Sequence, residues 1–169
     1  GYEYYKKDAG TVSYYETNTT DFRIANYWRS LYTGIARANM LLENIDKAEK
    51  VSDSERNRMK GEALFFRGFY YYMLVVRFQN IPLVLHSVSD INTDEKYVAQ
   101  SSPAAVYARI IADLKEAALL VPDTTESSVG TRVTKCAVWG IIARVALSMA
   151  GNPVGDTSMY AIAAKYARM

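Results

Sequence analysis

Apolar residues recur along this chain at alternating spacings of three and four, the period of helices buried on one side. Between 22 and 48, Trp28, Leu31, Ile35, Ala38, Leu42 and Ile45 make one such stripe, and Arg29, Arg37, Glu43 and Lys47 fall off it. Asp21 or Thr20 is placed to cap the first turn, where a short side-chain oxygen accepts from a free amide. A second helix is announced by Ser52-Asp-Ser-Glu55, which has the spacing of a capping box. It carries two stripes: Met59, Ala63, Phe66, Tyr70 and Met73, and Leu64, Tyr71, Leu74 and Phe78. A helix apolar on two sides is covered on both, so this one is expected to be central, with Phe66 in the core. Asn80-Ile-Pro82 ends it, because the residue before a proline is pushed out of the helical region.

Residues 79–101 read as a loop, with Ile81 to Leu85 as a short extended anchor. The third helix opens with Ser102 as N-cap and Pro103 at the first helical position, where a missing N–H costs nothing. Val106, Ile110, Leu114, Ala117 and Val121 form its stripe, and Pro122 stops it. After a polar loop from Asp123 to Arg132, a fourth helix covers about Thr134 to Ala150 and ends at Gly151-Asn152-Pro153. A fifth begins near Ser158. The expected fold class is all-α, built from tetratricopeptide-like helix–loop–helix pairs, with a plain helical bundle as the alternative. The divisions are a leader at 1–21, a first pair at 22–78, a loop at 79–101, a second pair at 102–150 and the start of a further helix at 158–169.

Composition narrows the chemistry. Half of the 169 residues are hydrophobic and 22% are charged, which excludes disorder as the default. A net charge of +2, with scattered basic residues, leaves no nucleic-acid footprint. One cysteine, Cys136, excludes an internal disulfide and a cysteine-based zinc site, and one histidine, His86, excludes any mechanism that needs two imidazoles. The most apolar stretch, Ala63 to Phe78, is shorter than the ~20 residues of a membrane span and is broken by Arg67 and Arg77. Neither end carries a targeting signal, and Met169 falls inside a helical pattern, so the chain reads as a piece of a longer protein.

Four blocks resemble the SusD/RagB-type nutrient-binding lipoproteins of Gram-negative bacteria. They are Trp28-Arg-Ser-Leu-Tyr32 through Arg37-Ala38-Asn39 to Ile45, and Glu62-Ala-Leu-Phe-Phe66-Arg67-Gly-Phe-Tyr70-Tyr71 followed by Asn80-Ile81-Pro82-Leu83. The others are Val106-Tyr107 through Ile110-Ile111-Ala-Asp113-Leu114 to Pro122, and Gly130-Thr-Arg132-Val-Thr134-Lys135 running into Ala143-Arg144-Val145. The chain departs from the family pattern at Gln79-Asn80, where a glycine-containing pair is common, and at Ala146, where an aromatic is frequent. Members are longer, so the likeness covers part of an N-terminal half, without the lipidated cysteine and the C-terminal part. What the resemblance implies is non-enzymatic capture of a glycan or other nutrient at the outer-membrane surface. The partner it implies is a SusC-like TonB-dependent transporter, and the membrane is reached only through a lipid anchor.

Fourteen tyrosines are the compositional outlier. Tyr4, Tyr5, Tyr14 and Tyr15 stand in the leader, where a flat face with a polar rim suits the apolar C–H face and hydroxyls of a sugar, and they are the candidate glycan-binding residues. Tyr70-Tyr71-Tyr72 point about 100° apart on a helix, so they pack rather than form a platform. Trp28, on the first stripe, is read the same way, and Arg67 and Arg144 are expected to find partners on a neighbouring helix or a backbone carbonyl. His86 is expected to be an exposed loop residue and Cys136 a small buried hydrophobe. Asp90, Asp94 and Glu95 share a loop but lack the EF-hand glycine and terminal glutamate, so no metal is assigned. Asn18-Thr-Thr20 matches a glycosylation sequon that carries little weight in a bacterial protein. No phosphate loop, nucleophile elbow or HExxH motif occurs, and no cofactor or catalytic residue is expected. The runner-up function is a helical-repeat adaptor that takes a protein or peptide in its groove. An α-helical glycosidase would need two carboxylates about 5–9.5 Å apart, and no pair is singled out.

Overall fold

The computed structural model describes residues 21–87, 98–123 and 132–169, so Tyr4, Tyr5, Tyr14, Tyr15, the sequon and the Asp90–Glu95 acidic loop lie outside the described residues. The chain falls into two compact units, divided between Ser30 and Leu31. The described residues hold five α-helices: α1 Phe22–Asn44, α2 Asp53–Phe78, α3 Pro103–Leu120, α4 Lys135–Ala150 and α5 Met159–Ala167. A 3-10 turn, Ile45–Lys47, follows α1. Two short strands, β1 Ile81–Pro82 and β2 Gln100–Ser101, pair antiparallel with Ile81 opposite Ser101. The architecture is all-α, as the periodicity predicts. The small sheet was not foreseen, since two residues are too few for an alternating pattern.

Helix boundaries follow local chemistry. At α1, Asp21 Oδ1 accepts from the Arg23 amide at 2.8 Å. Ser102 Oγ accepts from the Ala105 amide at 3.4 Å with Pro103 in the first turn, and Ser52 Oγ accepts from the Glu55 amide at 3.3 Å. The Glu55 carboxylate is turned outward to Arg132, so only half of the expected capping box is spent on the helix end. α2 stops at Gln79, whose φ of +58° and ψ of −92° are costly for any residue with a Cβ. It belongs to the Gln79-Asn80 pair, which stands where the resembling family commonly has a glycine-containing pair.

In the second unit, α2 packs on α3, α3 on α4 and α4 on α5, the succession of stacked helix pairs. Its core comprises Tyr71 and Leu74 of α2, Val106, Ile110, Leu114 and Ala117 of α3, and Val138, Ile142 and Val145 of α4, all without exposed surface. The approach of α2 to α3 depends on glycine. A Cβ on Gly61 would lie 2.9 Å from Leu120 Cβ and Val121 Cγ1, and one on Gly68 would lie 3.3 Å from Leu114 Cγ. Of the two stripes on α2, the Leu64–Tyr71–Leu74 side faces this core.

Two expectations fail. Phe66 is 42% exposed instead of buried, because the buried arc runs through Leu64, Arg67, Tyr71 and Leu74 and leaves position 66 on its far side. Its ring stacks along the helix on Tyr70, with centroids 6.0 Å apart. Cys136 is exposed, since Val138 is the first residue of α4 that turns into the core. Arg144, for its part, lies off the face made by Val138, Ile142 and Val145 and is exposed.

Candidate functional site

The second unit contains a buried polar relay that crosses three helices. Asp113 of α3 has no exposed surface and accepts from Arg67 of α2 through two parallel bonds, Nε at 2.7 Å and a terminal nitrogen at 2.8 Å. Arg109, one turn earlier on α3, donates to the same carboxylate through Nε at 2.7 Å. The other terminal nitrogen of Arg67 donates to Asn39 Oδ1 on α1 at 3.0 Å. Asn39 is itself fully buried, and its amide donates to the carbonyls of Val84 at 3.0 Å and His86 at 3.2 Å. Arg67 thus has the satisfied partner on a neighbouring helix that its apolar setting demanded, and every partner in the relay is itself bonded.

The relay ends on the extended segment from Pro82 to Ser87, which α1 holds at three levels. Tyr32 OH donates to the Pro82 carbonyl at 2.7 Å, Asn39 takes Val84 and His86, and Glu43 accepts from the Ser87 amide at 2.8 Å and from its hydroxyl. From Tyr32 to Glu43 the chain advances eleven helical residues. At about 1.5 Å each that is roughly 16–17 Å along the helix axis. The segment from Pro82 to Ser87 thus lies along α1 between Tyr32 and Glu43. From α2, Tyr71 OH donates to the Val84 carbonyl at 2.7 Å and accepts from the Val84 amide at 2.8 Å, which completes that residue's backbone needs.

Burial pushes the Tyr71 hydroxyl up to about 12, and burial, with Tyr71 beside it, raises Tyr32 further. The Ser87 hydroxyl, and then its amide, pull the Glu43 carboxyl below the usual carboxylate range. His86 is exposed, as expected, with Nδ1 3.5 Å from Glu43 Oε1. Tyr70, Tyr71 and Tyr72 pack rather than present a platform: Tyr71 is buried, Tyr70 covers Gly34 so closely that a Cβ there would sit 2.5 Å from its ring, and Tyr72 OH bonds Ser148 Oγ at 3.0 Å.

A cleft of about 340 Å³ opens between the start of α2, the end of α3 and the start of α4, lined by Ser54, Glu55, Arg58, Leu120, Asp123 and Lys135 among others. Its charges are largely matched. Lys135 lies 3.1 Å from Asp123, and Arg132 clasps Glu62 twice at 2.8 Å and Glu55 at 2.9 Å. Those hydrogen bonds, Glu62 first, hold the Arg132 guanidinium more firmly charged. Among the described residues no aromatic ring lines the cleft, so they offer a sugar ring no stacking face there. Among the described residues no group of three or more His, Cys, Asp or Glu could hold a metal ion, and no helix is long and apolar enough to cross a membrane.

The sequence reading did not single out Asn39 or Asp113 as buried. The available signal was position: both stand against apolar neighbours on a buried stripe, Asn39 after Ile35 and Ala38, and Asp113 between Ile110 and Leu114.

Stacked helix pairs, a central helix tied by an arginine relay and an Ile-Pro-Leu segment docked across it define the class of the fold, an all-α scaffold of helix–loop–helix pairs. The model of a family described as starch-binding, associating with the outer membrane, matches residues 3–147, and the chain belongs to this SusD-like family. SusD-like protein P2 of Formosa agariphila is 34% identical over 103 residues, which cover 60% of this chain and 20% of that protein. The crystal structure of a SusD homolog from Bacteroides thetaiotaomicron superposes with a TM-score of 0.81 at 34% identity, over 90% of this chain and 30% of the other. A laminarin-binding SusD-like protein gives 0.68 at 28% identity, over 83% of this chain and 28% of the other. The chain thus spans less than a third of each of these relatives' lengths.

Proposed function

We propose that the protein captures a glycan at the outer-membrane surface and passes it, chemically unchanged, to a TonB-dependent transporter. The observation that carries this reading is family membership over residues 3–147, together with the likeness to a SusD-like protein that binds laminarin. The helices with the relay form the rigid scaffold, and the ligand is met by aromatic side chains outside it. Tyr4, Tyr5, Tyr14 and Tyr15 supply stacking faces, and attachment to the membrane is through a lipid. Two features support a binder rather than an enzyme. The buried carboxylate, Asp113, is consumed by two arginines, and the cleft carboxylates Glu55 and Asp123 are paired with cations.

The test is a glycan screen with the intact protein, followed by calorimetric titration of the best ligand. A stacking tyrosine acts through its ring, so Tyr14→Phe or Tyr15→Phe is expected to be mild and the alanine variant severe. The two adjacent tyrosines are replaced one at a time, so that the one that stacks on the sugar is told apart from its neighbour. Unchanged affinity in all four alanine variants sinks the leader site. Release of reducing sugar during the titration overturns the non-catalytic reading.

A further inference from the structure

The three levels at which α1 grips the Pro82–Ser87 segment differ in kind. Tyr32 and Asn39 reach backbone carbonyls and are themselves buried or half-buried, and Tyr71 closes the same stretch from α2. The last level is exposed and ionic. The Glu43 carboxylate spends one oxygen on the Ser87 amide at 2.8 Å and the other on the Ser87 hydroxyl, on a surface open to water. The one ionisable group that faces it from the docked segment is His86, at 3.5 Å. On its own side, Lys47 lies one turn further on and is turned to Asn44, with 3.0 Å between Nζ and Oδ1.

We propose that Glu43 is a releasable latch: ionised, it ties Ser87 to α1, and when the charge is lost Ser87 comes free while the inner anchors at Pro82 and Val84 stay closed. Two physical differences separate the stations. A carboxylate that loses its charge becomes a poorer acceptor and acquires a proton of its own, so it can no longer take both Ser87 donors. The Tyr71 hydroxyl and the Asn39 amide carry no charge to lose at acid pH, and their bonds to Val84 lie in a buried, low-dielectric setting. Because the Ser87 bonds favour the ionised carboxylate, the latch is closed at neutral pH and opens only as the pH falls through the lowered Glu43 value. Because the uncharged Asn39 amide also holds the His86 carbonyl at 3.2 Å, release is confined to Ser87, which answers to acidity independently of glycan capture.

Hydrogen exchange resolved to single amides, on the intact protein from neutral to acid pH, tests this. In the wild type the protection factor of the Ser87 amide is expected to fall on acidification, while that of Val84 holds. In Glu43→Ala, a surface substitution that removes both acceptors and leaves the core untouched, Ser87 protection is expected to be about tenfold lower at neutral pH, with no further response to acid and with Val84 unchanged. Unaltered Ser87 protection in the variant overturns the latch. So does joint loss of Ser87 and Val84 protection, which would make the segment one cooperative unit.

Discussion

Removing Asp113 is the most informative perturbation of this scaffold. Asp113 has no exposed surface, and Arg67 is only 6% exposed. In Asp113→Ala, Arg67 loses two bonds of 2.7 and 2.8 Å and keeps Asn39 Oδ1 as its one acceptor in the relay. Arg109 suffers less, since its side chain is 31% exposed and can turn to water. A buried charge stripped of its partner costs about 3–5 kcal/mol, a large share of the ~5–15 kcal/mol available to a typical domain. Arg67→Met is expected to be milder, about 1–3 kcal/mol, because Asp113 keeps Arg109 and the Asn39 amide keeps its bonds to the docked segment. With both ends removed, in Arg67→Met with Asp113→Ala, no buried charge is left unpaired, since the partly exposed Arg109 turns to water. The double variant should therefore be no less stable than Asp113→Ala, with a coupling energy of about 2 kcal/mol or more. Urea denaturation of the intact protein with a constant slope reads these differences as midpoint shifts. Strict additivity of the two changes would refute the relay as a coupled unit.

Two further outcomes follow from single residues. Gln79→Gly relieves a φ of +58° at the end of α2 and is expected to raise stability by about 1 kcal/mol, seen as a higher melting temperature; a lower one contradicts the strain. Tyr71 is pushed up to about 12 from an ordinary value of 10.0, so the unfolded chain loses that proton first as the pH rises. The stability gained by keeping the hydroxyl neutral is complete below about 10 and is lost as the pH climbs towards 12. An ultraviolet titration should show Tyr32 and Tyr71 ionising late and together with unfolding, and ionisation of both near 10 without unfolding is the contrary result.

How much of this molecule was legible beforehand depends on the range of the interaction concerned. Helix ends were readable because capping is local: Ser52, Ser102, Pro103 and Pro122 act within four residues, and the boundaries they set are those observed. The face of α3 was readable because its stripe is single, and Val106, Ile110, Leu114, Ala117 and Val121 are all buried. On α2 two stripes competed, and periodicity cannot say which meets a neighbour. Close packing of Gly61 and Gly68 on α3 chose the Tyr71 side and left Phe66 outward. The relay was visible only in part. Arg67 in an apolar run demands a partner, but the partners lie 28 and 46 residues away, at Asn39 and Asp113, and sequence spacing carries no information over that distance. The docked Ile-Pro-Leu segment was recognisable as extended, yet its grip comes from residues of α1 and α2 that approach it only once the helices have packed. What the sequence alone determined is therefore the element order, the caps and the family. Tertiary structure decided which side of α2 is core, which polar groups are buried together, and where along α1 the segment is held, because each depends on surfaces that exist only when separate helices meet.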